Sequence, residues 1–234
     1  MVKSELIKRS PLRVFEKSIH GGLGKGNLGV LASRKGVGKT ACLVHIATDQ
    51  LFNDKHVIHV SFSSRVDHIV SWYEDIFTEI SKMRDLENAV SVHDEIVKNR
   101  VIMNFNQEGI NTDQILRSIS AMITDGNFAA DQVLFDGYDF GQCTPEDITK
   151  YKAFAEDHQV EIWFSVSLNP DEPCFDEKGF PVQLKPFVED LDVIITLAHD
   201  GNHVKLRTVK DHASSELGKM HLMLDPKTML IARE

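Results

Sequence analysis

The chain has 234 residues, 42% hydrophobic and 26% charged, an ordinary balance for a globular fold long enough to bury a sizeable core. Its net charge of −9 opposes a polyanionic partner over the surface as a whole, and no apolar run approaches the ~18 residues of a membrane span. Cys42, Cys143 and Cys174 are odd in number and widely spaced, which fits a reducing compartment, and the opening residues lack the apolar stretch of a signal peptide, so a cytoplasmic location is expected.

In chain order, Asn27–Ala32 reads as a short buried strand and Ala41–Phe52 as a helix with an apolar face. His56–Phe62 alternates and is β-branched, predicting a second strand, and Ser64 with Asp67 forms a capping-box pattern for a helix through Ile69, Trp72, Ile76 and Ile80. A more polar helix follows over 85–98, then a strand at Arg100–Phe105 and a helix at Thr112–Ile123 facing inward through Ile115, Leu116, Ile119 and Met122. Gln132–Asp136 reads as a buried strand ending in an acid, and Thr144-Pro145 as the cap and first position of a helix to about His158. Glu161–Leu168 is the next strand, followed by a loop holding Pro170, Pro173, Pro181 and Pro186. Short strands at Val193–Leu197 and Val204–Lys210 and a hairpin near Leu222 and Leu230, turned by Asp225-Pro226, close the chain. Alternating strands and helices predict a single domain: a mostly parallel sheet flanked by helices, with antiparallel strands at its C-terminal end.

The strongest motif is Leu31-Ala32-Ser33-Arg34-Lys35-Gly36-Val37-Gly38-Lys39-Thr40-Ala41, placed between a predicted strand and helix. It fits the phosphate-loop pattern at every defined position except the first, where Ser33 replaces glycine. Gly36 and Gly38 let backbone N–H groups turn inward around phosphate oxygens, Lys39 reaches toward the β- and γ-phosphates, and the Thr40 hydroxyl can hold Mg²⁺. Residues 33–41 are therefore candidates for cradling ATP at the helix N-terminus. Asp136, delivered by an apolar strand to the carboxyl edge of the sheet, is the matching candidate for Mg²⁺.

Gly21-Gly22-Leu23-Gly24-Lys25-Gly26-Asn27-Leu28, leading into that loop, resembles the start of the KaiC-like branch of the RecA superfamily of P-loop ATPases, and Leu206-Arg207-Thr208-Val209-Lys210-Asp211-His212 resembles its late strand. The likeness runs from about residue 10 to the end. It implies a RecA-like core, ATP with Mg²⁺ between subunits, and a head-to-tail ring or filament in which Lys210 and His212 reach a neighbour's nucleotide. If the tail strand runs unbroken, those two share a side with Thr208. The chain departs from the branch in three ways. Ser63 and Ser64 stand where a Glu-Glu pair is usual, His212 stands where an arginine is usual, and Arg34 and Lys35 accompany the missing glycine. A hydroxyl is a poor proton acceptor near neutral pH, so the expected activity is slow or partner-dependent ATP hydrolysis. A catalytically inactive nucleotide-sensing scaffold is the alternative, and a DNA recombinase or helicase motor comes third. The loop from Asn169 to Asp190 is acidic and unsuited to phosphate neutralisation.

Competing motifs fare worse. Gly24-Lys25-Gly26-Asn27-Leu28-Gly29 fits a dinucleotide fingerprint but precedes its strand instead of following one. Arg34 resembles the second basic residue of the MinD/ParA loop, a group without a hairpin tail. His56 and His59 face opposite sides of a strand, His199 and His203 flank a turn, and Cys42 is better placed for helix packing than for redox chemistry.

Overall fold

Runs of β-branched and aromatic residues form one nine-stranded sheet in the computed structural model, which describes residues 1–62, 66–106, 109–169 and 173–234. The strands are β1 (Leu28–Ser33), β2 (Val57–Ser61), β3 (Arg100–Asn104), β4 (Gln132–Asp136), β5 (Glu161–Ser167), β6 (Val193–Asp200), β7 (His203–Asp211), β8 (Leu222–Leu224) and β9 (Ile231–Arg233). Their order is β3-β2-β4-β5-β1-β6-β7-β8-β9; the first six run parallel, and each later strand pairs antiparallel with its neighbour. Parallel strands covered on both faces must be apolar on both sides, and every residue of β1 and β2 is buried. No helix among the described residues is long and apolar enough to cross a membrane.

Helices α1 (Lys3–Arg9), α2 (Leu12–Ser18), α3 (Lys39–Phe52), α4 (Val66–Arg84) and α5 (Ala89–Lys98) cover one face, with Leu31, Leu134 and Trp163 of the sheet beneath them. Helices α6 (Thr112–Thr124) and α7 (Pro145–His158), with a 3₁₀ turn at Val182–Phe187, cover the other over Val30, Phe135 and Phe164. Thr144 caps α7 as expected: its hydroxyl accepts the Asp147 N–H at 3.2 Å, while Asp147 accepts the Thr144 N–H at 3.0 Å. At Gly29 the sheet needs a bare backbone, because a Cβ there would lie 2.5 Å from the Trp163 ring.

Several expectations need correction. Helix α3 is buried nearly all round rather than on one apolar face: of its residues only Thr40 and Gln50 are not buried, and Lys39, His45, Thr48 and Asp49 are buried with the apolar ones. Helices α1 and α2 carry no periodic signal in the sequence: they are short, each burying only one or two side chains (Leu6; Leu12 and Phe15). The helix expected from residue 85 begins at Ala89, after Asn88 in a left-handed conformation. The tail strand is not unbroken either. A bulge places Lys210 opposite Ile194 but Thr208 opposite Ile195, leaving Val209 over, so Thr208 and Asp211 are buried and Lys210 is half-buried. The predicted cap at Ser64 lies outside the described residues.

Burial also leaves two histidines neutral. His45 of α3 accepts the Ile231 N–H at Nδ1 over 2.9 Å, and burial lowers its pKa to about 3. His59 of β2 meets the Tyr73 hydroxyl at 3.0 Å; burial, opposed by Asp136 and helped by Arg100, lowers its pKa to about 4. Both lie below the unfolded value of about 6.5, so the unfolded chain takes up protons first. The stabilisation is whole above pH ~6.5 and drains away as pH falls toward 4 and then 3, at up to ~1.4 kcal/mol per pH unit for each histidine. Urea unfolding between pH 7 and 5 is expected to show this slope, and His45→Asn, which keeps an acceptor but cannot titrate, to flatten it. Equal slopes in both proteins would contradict it.

Candidate functional site

The carboxyl ends of β1, β5 and β4 lie side by side, with β5 in the middle. The chain leaves β1 for the α3 face and β5 for the opposite one, which opens a crevice at their ends. The glycine-rich turn from Arg34 to Gly38 fills the step from β1 to α3: Arg34, Lys35 and Gly36 are exposed, Val37 and Gly38 half-buried. Gly36 (φ +82°) and Gly38 (φ +114°) are both left-handed. Gly38 is doubly constrained, since a Cβ would sit 2.2 Å from Leu224 Cδ2 on β8. Ser33, the departure from the motif, ends β1 in extended backbone, where glycine's freedom is not needed.

Lys39 opens α3 and is 7% exposed. Its ammonium donates to the Ser33 carbonyl (3.3 Å), the Ser33 hydroxyl (3.2 Å) and the Arg34 carbonyl (3.0 Å). Burial lowers its pKa to about 8, while the negative charge of Asp136 works in the other direction. The Ser33 side chain thus serves as a third acceptor for a desolvated cation.

Thr40, the next residue, places its hydroxyl 2.9 and 3.1 Å from the two carboxylate oxygens of Asp136. Asp136 is fixed from its other side by Ser165 of β5, whose hydroxyl donates to Oδ1 at 2.6 Å and accepts the Gly137 N–H at 2.9 Å. Ser165 was not a candidate from the sequence. The signal was there: a serine inside the apolar run Ile162-Trp163-Phe164-Ser165-Val166 must find a buried partner. Loop, Lys39, Thr40, Ala41 and Asp136 are therefore brought together. Oxygen donors from Thr40 and Asp136 suit a hard cation such as Mg²⁺.

Lys210 and His212 are not brought there within one chain. Lys210 lies toward the amino end of the parallel strands, where its ammonium donates to the carbonyls of Val188 and Leu191, and burial lowers its pKa. His212 follows the end of β7 with φ +47°; Nε2 donates to the Leu23 carbonyl at 3.0 Å and Nδ1 to Asp211 at 2.7 Å. Burial opposes its charge, but those two acceptors prevail and raise its pKa. His20 also bonds the buried Asp211, so the Gly-Gly lead-in and the tail strand are tied to each other. Ser63 and Ser64 lie outside the described residues.

The other candidates form no site among the described residues. Cys42 is buried and its thiol is pushed up to about 12 by burial, unsuited to redox sensing. His199 and His203 are exposed and out of register across their turn, and no group of three or more His, Cys, Asp or Glu among the described residues is placed to hold a metal ion. The chain matches no protein-family model, and no curated protein matches it significantly.

Substitution separates the two loop glycines. Gly36→Ala meets open space and carries backbone strain alone, about 1–2 kcal/mol. Gly38→Ala adds the clash with Leu224 and is expected to cost a further 1–3 kcal/mol or so. Urea denaturation of both variants checks the order, and equal losses would contradict the contact with β8.

Proposed function

We propose that the chain is a RecA-like, KaiC-type P-loop protein that binds ATP with Mg²⁺ and hydrolyses it slowly. The observation that carries this reading is the Thr40–Asp136 pair beside a glycine-rich turn whose lysine is buried and faces only neutral acceptors. The turn would present its N–H groups and the N-terminal end of α3 to phosphate oxygens. Lys39, already stripped of water, would exchange the Ser33 and Arg34 acceptors for anionic oxygens. Thr40 and Asp136 would hold Mg²⁺, with Ser165 keeping the carboxylate oriented. Bound Mg²⁺ supplies charge neutralisation on the phosphate oxygens.

Lys39→Ala should weaken ATP·Mg²⁺ binding by about 10–100-fold, the loss of a charged hydrogen bond. Because the free protein's Lys39 loses its proton near pH 8, wild-type affinity should fall as pH rises from 7 to 9.5. Calorimetry at both pH values measures both effects; equal affinity in wild type and variant would refute the assignment.

Hydrolysis is expected to be slow because serines, not carboxylates, stand at 63 and 64. By the resemblance Lys210 would serve a neighbour's nucleotide in a head-to-tail assembly, for which it would have to give up the Val188 and Leu191 carbonyls. That internal engagement favours the second reading, a nucleotide-sensing scaffold without turnover. Turnover rising with protein concentration, alongside ATP-dependent growth in light scattering, would support the interface ATPase. A strict monomer with zero turnover at every concentration would support the scaffold. Ser64→Glu should raise any measurable rate toward the ~10²–10⁴-fold that a positioned base contributes.

A further inference from the structure

A cavity of about 450 Å³ lies away from the glycine-rich loop, between the corner joining α1 to α2, the C-terminal halves of α3 and α4, and the β8–β9 hairpin. That volume is in the range of small-molecule sites. Its apolar wall includes Leu6, Phe52, Ile80, Leu230 and Ile231. Basic side chains outnumber acidic ones in the lining: Lys8, Arg9, Arg84 and Arg233 against Asp49 and Asp225.

The two acids are already engaged. Asp49 is paired with Arg13, and Asp225 accepts the Lys227 N–H and the Thr228 hydroxyl, both at 3.0 Å. The four cations have no ion-pair partner among the described residues. The lining thus carries an excess of basic side chains on a chain of net charge −9. The side chain of His45, a buried residue, adds a donor to the wall. Its Nδ1 accepts the Ile231 N–H, so the ring proton sits on Nε2, which has no partner among the described residues.

We propose that this cavity binds a small amphipathic anion, its apolar body against Leu6, Phe52, Ile80 and Leu230, and its carboxylate or phosphate head among Arg84, Arg233, Lys8 and Arg9. The chemistry is shared by alkyl carboxylates and alkyl phosphate monoesters; an uncharged alcohol of equal length lacks the feature that the cations recognise. The inference is independent of the nucleotide reading, since no nucleotide is needed to test it.

Decanoate, decyl phosphate and decanol titrated into the full chain by calorimetry decide the matter. Saturable one-to-one binding of at least one anion, with decanol weaker by about tenfold or more, is expected, and the tighter of the two anions identifies the head group. Arg84→Ala with Arg233→Ala, at part-exposed and exposed positions, should weaken the anion by about tenfold and leave decanol unchanged. Ile80→Trp should block all three; if it fails to fold, the arginine pair decides alone. No saturable binding of either anion, or equal losses of anion and alcohol in the arginine variant, would overturn the proposal.

Discussion

The burial of α3 on every side is the constraint on which the rest depends. A helix wrapped by sheet, outer helices and a C-terminal hairpin must find partners for most of its polar groups within the fold. Thr48 returns a hydrogen bond to the Val44 carbonyl, Asp49 pairs with Arg13, and His45 accepts from Ile231. Burying Leu43, Val44 and Leu51 contributes on the order of 1.5–3 kcal/mol each. At the helix's first turn Lys39 and Thr40 are held by acceptors from β1, the turn after it and β4.

That helix also explains why the candidate site needs three strands. Lys39 is fixed by the end of β1, Thr40 by the end of β4, and the gap between them is spanned by β5 through Ser165. The carboxylate of Asp136 is thereby gripped from both sides before any cation arrives, the preorganisation that keeps oxygen donors from collapsing elsewhere. Gly38 shows the reverse dependence, because the turn that faces solvent on one side is packed on Leu224 on the other.

How much of this was legible in the sequence follows from how local each signal is. Gln132–Asp136 and Pro145–His158 match their expected bounds, since an apolar strand closed by an acid and a Thr-Pro start are both written in adjacent residues. That Lys39, Thr40 and Asp136 come together was expected for a similar reason, since the loop motif and the strand-terminal acid are each written in adjacent residues. Ser165 was not singled out, because its role exists only through a neighbour on another strand. The bulge at Val209 likewise depends on the pairing of β6 with β7, and it undid the expected alternation of the tail. The cavity owes its shape to α1 and its following corner, α3, α4 and the β8–β9 hairpin, a juxtaposition that no window of sequence contains.

The place of β1 in the sheet has a consequence for how the chain comes to be folded. As the first strand made, it must wait for partners that begin at Ile162 and Val193. Until then an apolar segment with both edges open is exposed to other molecules, and the loop closures needed to cover it are long. Assembly of the sheet's centre therefore depends on long loop closures, whose entropic cost is offset only once β5 and β6 pair with Leu28–Ser33.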